Sequence, residues 1–413
     1  MNFFIRYKKL LLIIGFIVIV FALGYFLYAL FFKAPPPPSD ISEPAATTTP
    51  AGLPVSPTGP GQIISPIDGG KLPIEPGGDS GIKASPLAQG GLTQTTELSQ
   101  VPSLGAALDK SGSDLQYYDR LDGKFYKITK KGEVSTLTEK VFHNVSNLIW
   151  SPNKNKAILE YPDGANIIYD FEANKQISLP KHWEDFDFSP DGGQIVMKSL
   201  GFDPGNRWLT ISNDDGSKAI AIEALGENEA TVYPSWSPNN QSIAMYAKGV
   251  SFDRQEVFFI GLNDENFKST IVEGRGFQHK WAPNGDQLLY SVYSSDNDLK
   301  PSLWVVNAQG DSIGSGRKSL KLDTWAEKCT FANETDLFCA VPKELDEGAG
   351  LFPELAKNTP DRLYKIDTKT GLKQLIAIPD KDYNMSNLII SDDGDYLYFT
   401  DEITGRISQI RLK

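Results

Sequence analysis

The chain has 413 residues, with 40 Lys and Arg against 52 Asp and Glu, for a formal net charge of −12. That balance excludes a nucleic-acid binder, which needs a basic face, and describes a well-solvated surface. With three histidines and two cysteines there is no zinc spacing, and no phosphate loop or dinucleotide fingerprint occurs. No metal site and no cofactor are expected.

The N-terminal tip is basic, with Arg6, Lys8 and Lys9, and Leu10 to Phe32 then runs without a charge. About 20 apolar residues cross a bilayer, and Tyr25 and Tyr28 stand where an aromatic belt would begin. A cleaved secretory signal would be shorter and end in a small-x-small site. This run ends in Phe31-Phe32-Lys33-Ala34-Pro35, so residues 1–33 are read as a cytoplasmic tip and an uncleaved transmembrane anchor. Positive charge ahead of residues 10–32 places the remainder outside the cytoplasm of a single-pass membrane protein.

Residues 34–110 are read as a disordered linker. It opens on Pro35 to Pro38 and holds about half of the chain's 27 prolines, among Gly, Ser and Thr. Such a composition cannot bury enough apolar surface to offset the entropy of ordering. Its proline runs favour extended chain, long enough to hold a domain several nanometres above a membrane.

From residue 111 the pattern is β. A short phrase recurs: Trp150-Ser151-Pro152, Phe188-Ser189-Pro190-Asp191-Gly192, Trp236-Ser237-Pro238-Asn239 and Trp281-Ala282-Pro283-Asn284-Gly285, with worn copies at Phe331-Ala332-Asn333 and Ile390-Ser391-Asp392-Asp393-Gly394. Pro belongs at a strand's end, and Asn, Asp and Gly tolerate the backbone of a tight reversal. The aromatics are expected to pack between sheets. Each phrase precedes an apolar run such as Ile195-Val196-Met197, and a second pair of runs follows, as at Ile167-Ile168-Tyr169-Asp170. Each unit therefore supplies four strands, A to D. The period of about 40–60 residues is that of propeller blades.

This phrase and its "Ile-Tyr-x-x-Asp…Gly" continuation resemble TolB-type propeller repeats over residues 112–413. The resemblance implies an all-β propeller of four-stranded blades, and protein binding as its commonest use. Counting B strands gives seven blades and counting the phrase gives six, with seven preferred. Strands at Leu115-Gln116-Tyr117-Tyr118, Phe125-Tyr126-Lys127-Ile128 and Val134-Ser135-Thr136-Leu137 read as B, C and D of a blade lacking A. Residues 388–412 read as A, B and C of one lacking D, so the termini are expected to close the ring together.

Cys329 and Cys339 lie symmetrically about Glu334 and would face each other across a hairpin, within disulfide reach. In this strand order the A–B turns share one face, and the B–C and D–A loops share the other. The B–C loops lengthen along the chain: 162–165, 201–206, 248–254, 293–301 and 342–361. Loops on a rigid scaffold carry function, so that face is the expected binding surface for a protein or cell-envelope polymer. His182, Trp183, Asp203, Arg207 and Arg254 are its candidate contacts.

Catalytic readings are weaker. Gly310-Asp311-Ser312-Ile313-Gly314 matches a nucleophile elbow, but no helix-forming stretch follows and all three histidines precede it. It reads as a C–D turn. Asp296-Asn297-Asp298 and Asn263-Asp264-Glu265 lack the spaced loop of a calcium site. The alternative function is a glycosidase-like propeller hydrolase using acids in the central channel, although no two acids stand out by position.

Overall fold

In the four copies of the recurrent phrase that carry Ser, this residue organises the reversal. In the 189–194 turn, Ser189 Oγ donates to Asp191 Oδ1 at 2.6 Å and accepts the Gln194 N–H at 2.9 Å. Gly192, at φ 74°, returns its N–H to the Ser189 carbonyl. Ser151, Ser237 and Ser391 accept the N–H five residues on in the same way. All four serines are buried, so the hydroxyl satisfies backbone groups that water cannot reach.

Each reversal joins strands A and B of an antiparallel sheet. In this computed structural model the described residues are 83–263 and 265–413, with Ile19, Phe21, Leu23 and Tyr25 further upstream. Seven sheets follow one another, spanning residues 103–138, 147–179, 183–224, 232–272, 275–319, 329–379 and 385–411. Within each, A lies at one edge and neighbouring A strands touch around the ring. The protein is a seven-bladed β-propeller. The apolar cores lie between blades, as where Tyr118 and Phe125 of blade one meet Leu159, Ile167 and Tyr169 of blade two.

The ring closes from its N-terminal side. Thr95–Glu97 pairs antiparallel with Ile407–Arg411 and so supplies strand D of blade seven. Gly91–Thr93 adds a fifth, parallel strand to blade six along Lys373–Pro379. Blade one has its own strand A, Ser103–Leu108. These three strands correct the expected linker boundary at residue 110: ordered β-structure begins in the nineties, where short polar strands flanked by Gly and Pro carry little periodicity. The expected anchor at 10–32 and the linker up to residue 82 lie outside the described residues, those four positions apart. Among the described residues no helix is long and apolar enough to cross a membrane.

Four inner strands share a bulge. Strand A of blades one, three, five and seven sets two residues against one on strand B, with Gly105, Asp185, Gly276 or Asn387 at positive φ. A Cβ at Gly105 would lie 2.5 Å from a Leu148 methyl of the next blade, so this site admits only glycine. The residue after each, Ala106, Phe186, Phe277 or Leu388, turns into the interblade core.

Candidate functional site: the B–C and D–A loop face

Around the inner ring, side chains bond across every interface, to the backbone of the neighbouring blade in six cases and to a side chain in the seventh. Trp150 Nε1 donates to the Gly105 carbonyl, Asn166 Nδ2 to that of Trp183, and Lys280 Nζ to that of Cys329, each at 2.6 Å. Asp187 Oδ2 accepts the Trp236 N–H at 2.7 Å, and Trp281 Nε1 donates to Ser235 Oγ. Asp361 Oδ2 accepts the Met385 N–H, and Asn387 Nδ2 reaches the Ala106 carbonyl to close the circle. The expected packing role of Trp150, Trp236 and Trp281 is the observed one, with indole N–H groups satisfied across blades where they can reach.

Several ring members titrate abnormally. Burial pushes the Asp187 carboxyl up to about 6 against the pull of two backbone N–H bonds. Burial lowers the Lys280 ammonium to about 8. Asp361 is almost fully enclosed and its carboxyl is also raised by burial, partly offset by Lys328 at 2.8 Å. These groups hold blades together, and their shifts follow from that position.

On the B–C and D–A face the loops are laced to one another. Arg207 pairs with Glu229 at 2.7 Å, while Arg254 and Arg317 share Glu273. Arg275 Nε donates to the Ser251 and Phe252 carbonyls. Asp253 accepts the Ser295 N–H, and the long 343–360 loop leans onto blade five through Gly348 and Gly350, which donate to the Asp298 and Leu299 carbonyls. A continuous rampart thus runs over blades three to six.

Its tips are apolar. Phe202 is 98% exposed, Phe252 65% and Phe352 52%, joined by Val250, Leu351 and Leu355. Leu121, Val141 and Ile403 continue the pattern over blades seven, one and two. The opposite face offers Leu372 at a C–D turn, whereas Val134, Ile220 and Ile271 lie on outer strands. Packing does not require three phenylalanines in water on one side of a ring.

The sequence candidates divide here. His182 and Asp203 are exposed on loops of this face. Arg207 and Arg254 are on it but already held by Glu229 and Glu273. Trp183 is 5% exposed and packs with Ile158, Leu179 and Phe186, so its ring is unavailable to a ligand. Sequence reasoning placed it in a loop, while it opens strand A of blade three. The 248–254 loop is likewise shorter than expected: Ala244–Ser251 and Arg254–Ile260 extend to a two-residue tip, and Phe252 stands on it. The exposed phenylalanines were legible as apolar residues inside polar loops but were not singled out. Gly310–Ser312 is a single 3-10 turn between strands C and D, as expected, and Ser312 Oγ donates to the Gln309 carbonyl.

Comparison with known proteins returns the fold. Three solved structures illustrate it. The β-propeller domain of Cps50 (Swd1) from Myceliophteria thermophila has a TM-score of 0.52 at 11% identity, covering 77% of this chain and all of that one. An oligogalacturonate lyase in complex with manganese gives 0.51 at 13% identity, covering 77% and 93%. The oligogalacturonate lyase of Vibrio parahaemolyticus gives 0.50 at 11%, with the same coverage. No family model and no curated protein matches the sequence. At such identities the likeness is one of architecture. Among the described residues no group of three or more His, Cys, Asp or Glu is placed to hold a metal ion.

Proposed function

We propose that this chain is a non-catalytic binding propeller that holds a protein or cell-envelope polymer on its B–C and D–A loop face. The observation that carries the reading is the concentration of exposed aromatic tips, Phe202, Phe252 and Phe352, on one laced rampart. Aromatic side chains fixed on a rigid frame present contact area at little entropic cost, as binding hot spots do.

The entry of the chain supports the same assignment. Ala88 donates to the carbonyl of Arg411, at the C–D end of blade seven, so the described chain reaches the ring on the A–B side. With residues 10–32 as a membrane anchor and the positive charge ahead of them, the propeller is assigned outside the cytoplasm. The Cys329–Cys339 disulfide suits that compartment. The TolB-type resemblance of the repeats agrees with a binding role.

The test is capture from membranes with full-length variants. Phe202→Ala, Phe252→Ala and Phe352→Ala should each weaken retention of the crosslinked partner by roughly tenfold, the effect of a hot-spot truncation, whereas Leu372→Ala on the opposite face should change nothing. Losses confined to Leu372→Ala would refute the assignment. The rival is a hydrolase working through channel acids, for which Asp187, with its raised carboxyl, is the natural proton donor. Turnover of a glycan panel that disappears in Asp187→Asn would favour that rival.

A further inference from the structure

Away from the rampart, between blades one and two, the same face opens into a cleft of about 600 Å³. Arg120, His143, Ser146, Tyr161, Pro162 and Asp163 line it. They come from two B–C loops and the D–A loop between them. The volume suits one or two side chains of a ligand.

Two features distinguish this cleft from an ordinary gap between loops. The first is charge. The Arg120 side chain is exposed, and among the described residues its guanidinium makes no ion pair or hydrogen bond. Arg207, Arg254, Arg275, Arg317, Arg406 and Arg411 are all engaged by acids or carbonyls. The one acid in the lining, Asp163, is taken up by Lys181 at 3.1 Å, so nothing in the cleft neutralises Arg120. In a chain of net charge −12 an idle guanidinium stands out.

The second is preorganisation. The wall at 142–145 passes through Asn144 at φ 59°, a left-handed conformation. Buried Tyr118 pins it by donating its hydroxyl to the Phe142 carbonyl. His143 is carried outward on this turn. Burial in this wall also pushes the Tyr161 phenol up to about 12, leaving it a neutral donor. Flanking the lining residues in sequence are Leu121, 71% exposed, and Val141, 40% exposed.

We infer that this cleft receives a carboxylate of the partner, carried by an acidic peptide segment with apolar neighbours. Arg120 would grip it as a planar fork, with the Tyr161 hydroxyl and the His143 ring offering further polar contacts, while Leu121 and Val141 cover the flanking apolar residues. The inference rests on the loop face being a protein-binding surface and names the chemistry of one end of it. An acid sugar would supply the charge but would leave Leu121 and Val141 uncovered.

Arginine modification tests this on the full-length chain without requiring a variant. Phenylglyoxal, followed by peptide mapping, should label Arg120 faster than Arg254. An end-capped Leu-Glu-Leu peptide at millimolar concentration should slow Arg120 labelling by about fivefold or more, as expected for a site occupied well above its dissociation constant. The Leu-Gln-Leu counterpart should leave it unchanged. Saturation-transfer NMR of the peptide methyl groups should give a signal with the parent chain that is weakened in Arg120→Lys and lost in Arg120→Gln. Equal protection by the glutamine peptide, or none by either, overturns the proposal. So does equal protection by sodium glucuronate, which would assign the cleft to an acid sugar. Loss of partner capture in Phe252→Ala alongside failed protection would remove the cleft assignment alone and leave the loop-face reading in place.

Discussion

Asp187 links the inner ring to solution conditions. Its carboxyl is raised from 3.8 to about 6, so the folded state holds its proton more tightly than the unfolded chain does. Below about pH 4 both states are protonated and the group contributes nothing. As pH rises from 4 to 6 the unfolded chain ionises first, and stability falls by an amount on the order of 2 kcal/mol. Asp187→Asn should remove that fall: its melting temperature relative to the parent should increase between pH 4 and pH 7 in scanning calorimetry and stay flat above. A variant whose offset is constant with pH would show that the carboxyl does not titrate in this window.

A second residue-scale expectation concerns Lys328, which is 4% exposed and sits 2.8 Å from the enclosed Asp361 carboxylate while also donating to Asn384. Lys328→Met leaves that carboxylate without its cation and should lower stability by about 3–5 kcal/mol in urea unfolding. Little at this scale was legible in the sequence. An arginine that finds no partner, such as Arg120, reads like Arg207, and only the fold reveals that the acid near Arg120 is spent on Lys181. Trp183 misled for a related reason: Lys181, Glu184 and Asp185 surround it with charge, while its ring turns into the interblade core.

At the scale of elements the sequence was far more informative, because turn chemistry is local. The phrase that suggested a reversal forms one in every blade where it occurs, and in the four copies with a serine that residue has a defined task in closing it. The symmetric cysteines fall opposite each other in the register Cys329–Cys339 and are joined. Closing so short a loop restricts the unfolded chain by about 2–3 kcal/mol. Treatment with a reductant under mildly denaturing conditions should therefore lower the unfolding midpoint of the parent and leave a Cys329→Ala, Cys339→Ala double variant unchanged. What local pattern concealed was the extent of strands where few apolar residues mark them. Ser103–Leu108 and Thr95–Glu97 are short and mixed, and they owe their β form to the neighbours they complete. The bulges were hidden too, since Asp185 and Asn387 adopt positive φ in two blades where Gly105 and Gly276 serve in the others.

For the molecule as a whole, stability depends on a joint between residues far apart in sequence. Thr95–Glu97 supplies the last strand of blade seven against Ile407–Arg411, and Thr95 also bonds Asp380 and Tyr383 at the base of the preceding loop. Thr96→Pro removes a ladder donor opposite Gln409 and should destabilise the entire ring by about 3 kcal/mol, as one cooperative transition. If only a local change appeared in hydrogen exchange, with the global midpoint unmoved, the joint would not govern the fold. The seven-fold count itself was half visible beforehand, since second strands outnumber recognisable phrases and the worn copies carry no tryptophan.

The position of that joint has a mechanical meaning. Gly91–Thr93 and Thr95–Glu97 are the first strands met when entering the propeller from residue 83, and they are also the strands that lock it. Any pull transmitted along the upstream chain therefore loads the lock before it loads a blade. Peeling those two strands would open the ring while every blade strand from Ser103 onward is still paired, so the order of mechanical failure is written into the order of the chain.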